Sequence, residues 1–264
     1  MSLWVKICAN TSLEDARLAA EAGADAVGFV LAPSPRRVTS EQVAAIVPHL
    51  PADLEKIGVF VDVSLEEIVT TVETAGLTGV QLHFNASPEM PARLRERFGP
   101  ALRILRVLHF DADRTVERLV SEHDLPGSPA TGLGRWGGLS RAEDASTNLR
   151  ALASEVAFPD SNIDAILVDS RTATAVGGTG KTFDWSTASK TLFQNTNVRT
   201  RLIAAGGLTP GNVAEAIAIL QPWGVDVVSG VEAEPGRKDP AKVRAFIINA
   251  RKAYAERTTV AQSE

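Results

Sequence analysis

The sequence predicts a (β/α)8 barrel, a single domain over residues 1–254 with a polar tail at 255–264. Three observations carry that expectation. Short apolar, β-branched runs alternate with amphipathic helical stretches, eight times over. The runs are too continuously apolar to leave one face in water, which implies a parallel sheet covered by helical crossovers. Eight such units in about 250 residues suit a closed barrel, whereas a doubly wound open sheet, the runner-up, would leave the last units unexplained.

The elements follow in order. "WVKICA" (4–9) precedes a helix that Ser12 can cap, with Asp15 supporting its first turn. "DAVGFVL" (25–31) leads to "TSEQVAAIVPHL", and "EKIGVFVD" (55–62) to a helix stopped by Gly76. "GVQLH" (79–83) precedes "SPEMPARLRERFG", with Pro88 in a first-turn position. "LRILRVL" (102–108), "IDAILVD" (163–169), "TRLIAAGG" (200–207) and "GVDVVSG" (224–230) complete the strands, the last two followed by clear helices. Residues 111–162 break the rhythm and read as an irregular insertion before the fifth helix. They contain Gly132-x-Gly134-x-x-Gly137, but breakers rather than a strand precede it, so the dinucleotide fingerprint lacks its context. Trp136 is the large apolar side chain on which this insertion would order, near the mouth or against the fifth helix.

With 44% hydrophobic and 22% charged residues, the composition is that of a soluble globular protein. A net charge of −5 argues against general affinity for nucleic acid or membrane surfaces, so an anionic ligand must be held by local donors. The lone cysteine, Cys8, forbids an intramolecular disulfide and fits a cytoplasmic location. No apolar window reaches the roughly 18–20 residues of a membrane span. Oligomeric state leaves no signature in the sequence.

A barrel's chemistry lies at the carboxyl ends of its strands. Those ends carry Cys8, Arg36 and Arg37, Asp62, His83, Asp169, Gly206 with Gly207, and Ser229 with Gly230. Glycines after the last two strands expose backbone N–H groups and predict a phosphate site. Cys8 and Asp169, on the first and sixth strands, suit a reaction needing one base and one acid. The run "GGTGK" at 177–181 is no Walker loop, because the glycine required five residues before Gly180 is Ala175.

Taken together, "KICANTSLEDARLAAEAGADAVGFVLAPSPRRV", "GVFVD", "VQLH", "LVDS", "GGTGKTFDW", "AAGGLTPGNV" and "GVDVVSGVE" resemble the phosphoribosylanthranilate isomerases of tryptophan biosynthesis. The likeness runs through about residues 3–110 and 163–250 and omits the insertion. It implies an Amadori rearrangement of N-(5-phosphoribosyl)anthranilate, a small phosphorylated substrate, with no metal and no organic cofactor. By motif, Cys8 would be the general base and Asp169 the general acid. Arg36 would meet the anthranilate end, His83 would line the substrate site, and Asp184 of "FDW" would lie near the substrate amine. Gly177, Gly178 and Gly180 would form a lid that keeps water from the open-chain intermediate. Asp169 must start protonated, and Cys8 must be ionised by some local field. Lys6 is expected on the opposite face of its strand, which leaves Lys181 and the substrate's own iminium as unranked sources. Two positions depart from the family motifs: Ala9 stands for the glycine of K-I-C-G, and Phe84 for that of Q-L-H-G.

Two other readings compete. A histidine-pathway Amadori isomerase would carry an aspartate at position 8 and a second anion site, and neither is visible. A non-catalytic barrel that binds a phosphorylated ligand would not need to retain both acid and base.

Overall fold

Parallel pairing runs without interruption through β1 (Trp4–Ile7), β2 (Ala26–Val30), β3 (Glu55–Phe60), β4 (Gly79–Leu82), β5 (Arg103–His109), β6 (Ala165–Asp169), β7 (Arg201–Ala204) and β8 (Gly224–Val227). Closure is made by β1 against β8, with Trp4 opposite Gly224, Lys6 opposite Asp226 and Ile7 opposite Val227. That ladder excludes the open sheet. The computed structural model describes residues 2–83, 86–110, 162–169, 184–194 and 200–261. The insertion with Trp136, and the glycine-rich run at 177–180, lie outside those described residues.

The two faces of each strand explain the missing polar alternation. Trp4, Ile57, Leu105, Val107, Leu167 and Ile203 point inward and form one buried cluster. Val5, Ile7, Phe29, Leu82, Val168 and Val225 point outward and pack with helical residues such as Val43, Ile68, Ile217 and Phe246. Each strand is therefore apolar on both sides. At the amino-terminal end the barrel is stoppered by Trp4 stacked on Trp223 at 5.4 Å, with the Arg201 guanidinium 5.0 Å from the Trp223 ring.

The helices begin where their caps stand. Ser12 accepts from Asp15 N at the start of α1 (Leu13–Glu21). Thr39 and Gln42 form a reciprocal capping box on α2 (Ser40–Ile46). Ser64 caps α3 (Leu65–Ala75), which Gly76 ends in the left-handed conformation at φ 65°. In α4 (Met90–Phe98) the first-turn proline is Pro91, so this helix starts later than Pro88 suggested. The short α5 (Trp185–Ala188) is followed by α6 (Val213–Leu220) and α7 (Pro240–Ala261). Asp239 caps α7 through Ala241 N and Lys242 N at 2.9 and 3.0 Å. The helix runs on to Ala261, through residues that composition had assigned to a polar tail. No described helix is long and apolar enough to cross a membrane.

Candidate active site

Position on a strand decides what reaches the mouth. Trp4 lies in the inner cluster, so Lys6 and Cys8, two and four residues on, share its inward face. This corrects the expectation for Lys6, which does not alternate away from Cys8. The structure confirms the shared face at Gly28 on β2, where a Cβ would fall 2.5 Å from Cys8 Sγ and 3.0 Å from Lys6 Cε. Glycine there leaves the space that these two side chains occupy.

Lys6 is fully buried, and its ammonium donates to Gln81 Oε1 at 2.6 Å and Asp226 Oδ1 at 2.9 Å. Burial opposes the charge, but Asp226 and the neighbouring Cys8 more than offset it, so the Lys6 pKa stands above the ordinary lysine value. Burial pushes the Cys8 thiol up, an effect that the Lys6 ammonium opposes and the Asp226 carboxylate reinforces. The strand ends just before Cys8 because Ala9 takes φ 61°, a left-handed conformation that only glycine adopts without strain. Asn10 locks the turn by donating from Nδ2 to Ile7 O at 2.8 Å.

Asp169, the last residue of β6, is buried and continues the inward line of Ala165 and Leu167. It stands in register with His109 at the end of β5. The His109 ring lies 5.9 Å from that of His83, which follows β4 and is inward by the same count as Gln81. The barrel thus brings Cys8, Asp169 and His83 to one mouth, with Lys6, Gln81, Asp226 and His109 added from beneath and beside. A cavity of about 260 Å³ opens next to His83, lined also by Phe60, Asp62, Leu82 and Met90. It holds neither Cys8 nor Asp169, so the convergent polar groups mark the chemistry better than this volume does.

Asp184 stands at the start of α5. Its carboxylate is exposed and occupied as the cap of α5, accepting from Ser186 N at 3.0 Å, Thr187 N at 3.1 Å and the Thr187 hydroxyl at 2.6 Å. The Thr187 hydroxyl and then its backbone N–H hold it below the usual aspartate range. Besides Asp169, the described residues place a second buried carboxylate inside the barrel, Asp226. The sequence signal for it was parity: Asp226 is the one charged residue in an otherwise apolar strand, opposite Lys6.

The glycine loops after β7 and β8 are in direct contact. Gly206 and Gly207 hold φ 79° and 66°, conformations that disfavour any other residue. Gly230 packs so closely on the first loop that a Cβ would overlap the Leu208 carbonyl oxygen. Ser229 and Gly230 form a 3-10 turn, and Asn212 braces the other loop through Thr209 N at 2.7 Å and Gly207 O at 3.0 Å. Arg36 leaves the loop after β2 and is clamped by Glu232, with Nε and Nη2 at 2.8 and 2.7 Å from its carboxylate oxygens.

The comparisons with known proteins agree with this geometry. The family model described as N-(5'phosphoribosyl)anthranilate (PRA) isomerase matches residues 5–126 and 142–249. An N-(5'-phosphoribosyl)anthranilate isomerase from Pelobacter propionicus is 37% identical over 255 residues, covering 96% of this chain and 98% of its own. The phosphoribosyl anthranilate isomerase crystal structure from Thermotoga maritima has a TM-score of 0.70 at 33% identity, covering 95% of this chain and 99% of that one. A further crystal structure of such an isomerase, in complex with reduced 1-(o-carboxyphenylamino)-1-deoxyribulose 5-phosphate, has a TM-score of 0.67 at 30% identity, with coverage of 95% and 99%. A matching family model over most of the chain, relatives of the same length and a closed barrel with the motif residues at its mouth leave one assignment: the chain belongs to the N-(5'-phosphoribosyl)anthranilate isomerase family.

Proposed function

We propose that this isomerase converts N-(5-phosphoribosyl)anthranilate to 1-(2-carboxyphenylamino)-1-deoxyribulose 5-phosphate, with Asp169 as general acid and Cys8 as general base. The observation that carries the reading is the convergence of both residues, each buried, on the inward face of the barrel mouth. Asp169 gives its proton to the furanose oxygen as the C1′–O bond breaks, and the nitrogen lone pair forms the iminium. Cys8 then takes the C2′ proton, and the electrons of that C–H bond flow toward nitrogen to give the aminoenol. Loss of the enol O–H proton and protonation of C1′ yield the amino ketone.

The base must ionise inside a buried site. Lys6 supplies a fixed cation for the thiolate, and the substrate's iminium adds a second at the moment of proton transfer. Arg36 faces the anthranilate carboxylate and His83 lines the mouth. Gly206, Gly207, Ser229 and Gly230 offer backbone N–H groups to the phosphate, as loops seven and eight do in many barrels. A base that must remain a free thiol also favours a reducing, cytoplasmic setting.

The test follows the fluorescence of the anthranilate adduct as it is consumed. Cys8→Ser and Asp169→Asn should each lower kcat by about 10²–10⁴-fold while binding the reduced product analogue nearly as the parent does. Near-normal turnover in either variant removes that residue from its role, and an inactive parent chain favours a ligand-binding barrel without catalysis.

A further inference from the structure

We infer that Glu232 is the positioning residue for Arg36, fixing the edge of its guanidinium with which the enzyme selects a carboxylated aromatic ring. The inference rests on the reading of Arg36 as the carboxylate clamp. Arg36 Nε lies 2.8 Å from Glu232 Oε1 and 3.1 Å from Oε2, and Nη2 lies 2.7 Å from Oε2. The pair is side-on: it uses the Nε–Nη2 edge and leaves Nη1 and the outer N–H of Nη2, for which the described residues offer no further hydrogen bond. That remaining edge is the second of the two forks by which a guanidinium grips a carboxylate bidentately. One carboxylate from the protein thus orients the group for another from the ligand.

Glu232 is built to hold and not to react. Its Oε1 also accepts from Gly236 N at 3.2 Å and Lys238 Nζ at 3.4 Å, and its backbone oxygen accepts from Lys242 Nζ at 2.8 Å. Burial alone would raise its pKa, but Arg36 and Lys238 more than offset that, so it stays ionised below the ordinary glutamate value. The residue opens β9 (Glu232–Glu234), which turns through Gly236 at φ 86° into β10 (Arg237–Lys238). That hairpin is tied to the first strand's loop through Thr11 Oγ1, 2.5 Å from Gly236 O. A Cβ on Gly236 would lie 3.6 Å from Pro35 O, so the turn packs beside the residue that precedes Arg36. With side-chain exposures of 12% for Arg36 and 4% for Glu232, the pair is shielded enough for its geometry to persist.

The experiment compares two ligands by titration calorimetry: the reduced carboxyphenylamino ribulose phosphate analogue and its counterpart made with aniline, which lacks the ring carboxylate. The parent should prefer the first. Glu232→Gln places an amide N–H against the guanidinium and should weaken the carboxylated ligand by about 10–100-fold, the scale of one to two charge-assisted hydrogen bonds, while leaving the aniline ligand unchanged. In turnover, KM should rise more than kcat falls, which a merely structural hairpin tie would not produce selectively. Because Glu232→Gln also strips buried Lys238 of its partner, Glu232→Gln/Lys238→Met is the second variant should the single one not fold. Arg36→Leu separates the layers. Loss of preference in Arg36→Leu but not in either Glu232 variant overturns the positioning role and leaves the Arg36 reading intact. Retained preference in Arg36→Leu overturns both.

Discussion

Lys6 Nζ sits 2.9 Å from Asp226 Oδ1 inside the barrel, on the same face of β1 as Cys8 and two residues before it. The two partners are 220 positions apart in the chain and meet only because β1 closes on β8 in that register. Both are nearly without solvent, so each is the other's main compensation for lost water. Lys6→Met should therefore cost about 3–5 kcal/mol in urea unfolding, because it strands Asp226 as an unpaired buried charge. Lys6→Met/Asp226→Leu should recover most of that loss. Additive costs in the double variant would show that the pair is not energetically coupled.

Cys8 gives a direct reading of its own ionisation, being the chain's single thiol. Its pKa is raised, chiefly by burial, so thiolate accumulates only above the ordinary thiol range. Iodoacetamide labelling of the ligand-free enzyme should be slow at neutral pH and still climbing past about pH 9. A plateau reached below about pH 8.5 would mean that Lys6 outweighs burial and that the resting enzyme already holds the thiolate.

Ala9 carries a left-handed backbone at φ 61°, a conformation that glycine adopts without strain. A Cβ in that region costs about 1–2 kcal/mol, part of which glycine gives back through its freer unfolded chain. Ala9→Gly should stabilise the fold by about 0.5–1 kcal/mol, read from the denaturation midpoint. A destabilised Ala9→Gly would show that the Ala9 methyl makes packing contacts worth more than the strain.

The glycine loops separate steric need from ligand need. Gly230→Ala would overlap the Leu208 carbonyl, push the two loops apart and cost about 1–3 kcal/mol. It should also reduce the protection that inorganic phosphate gives against thermal unfolding. Gly211→Ala is the control: the nearest atom to its new Cβ would be Thr209 Oγ1 at 3.7 Å, so a change within about 0.5 kcal/mol is expected. Full phosphate protection in Gly230→Ala would place the anion elsewhere than between these loops.

What the sequence determined by itself was whatever depends on periodicity along one strand or helix. Runs buried on both faces required a parallel sheet, eight of them implied closure, and the strand ends named Cys8, Asp169 and His83 as neighbours at one mouth. Counting by twos would have placed Lys6 beneath Cys8 and turned His109 inward with Leu105 and Val107, but the β5–β6 register was needed to set His109 beside Asp169. Which carboxylate serves which cation was not legible in the sequence. Asp184 and Asp226 look alike as short-range patterns, yet one is exposed and capped on its own helix while the other is buried against a strand from the opposite end of the chain. Arg36 and Glu232 meet across 196 positions, and the fit of Gly230 against Leu208 is a contact between two loops. Barrel register and loop packing set these distances, and a charge pair decays so steeply with separation and solvent that only the folded chain could choose the partners.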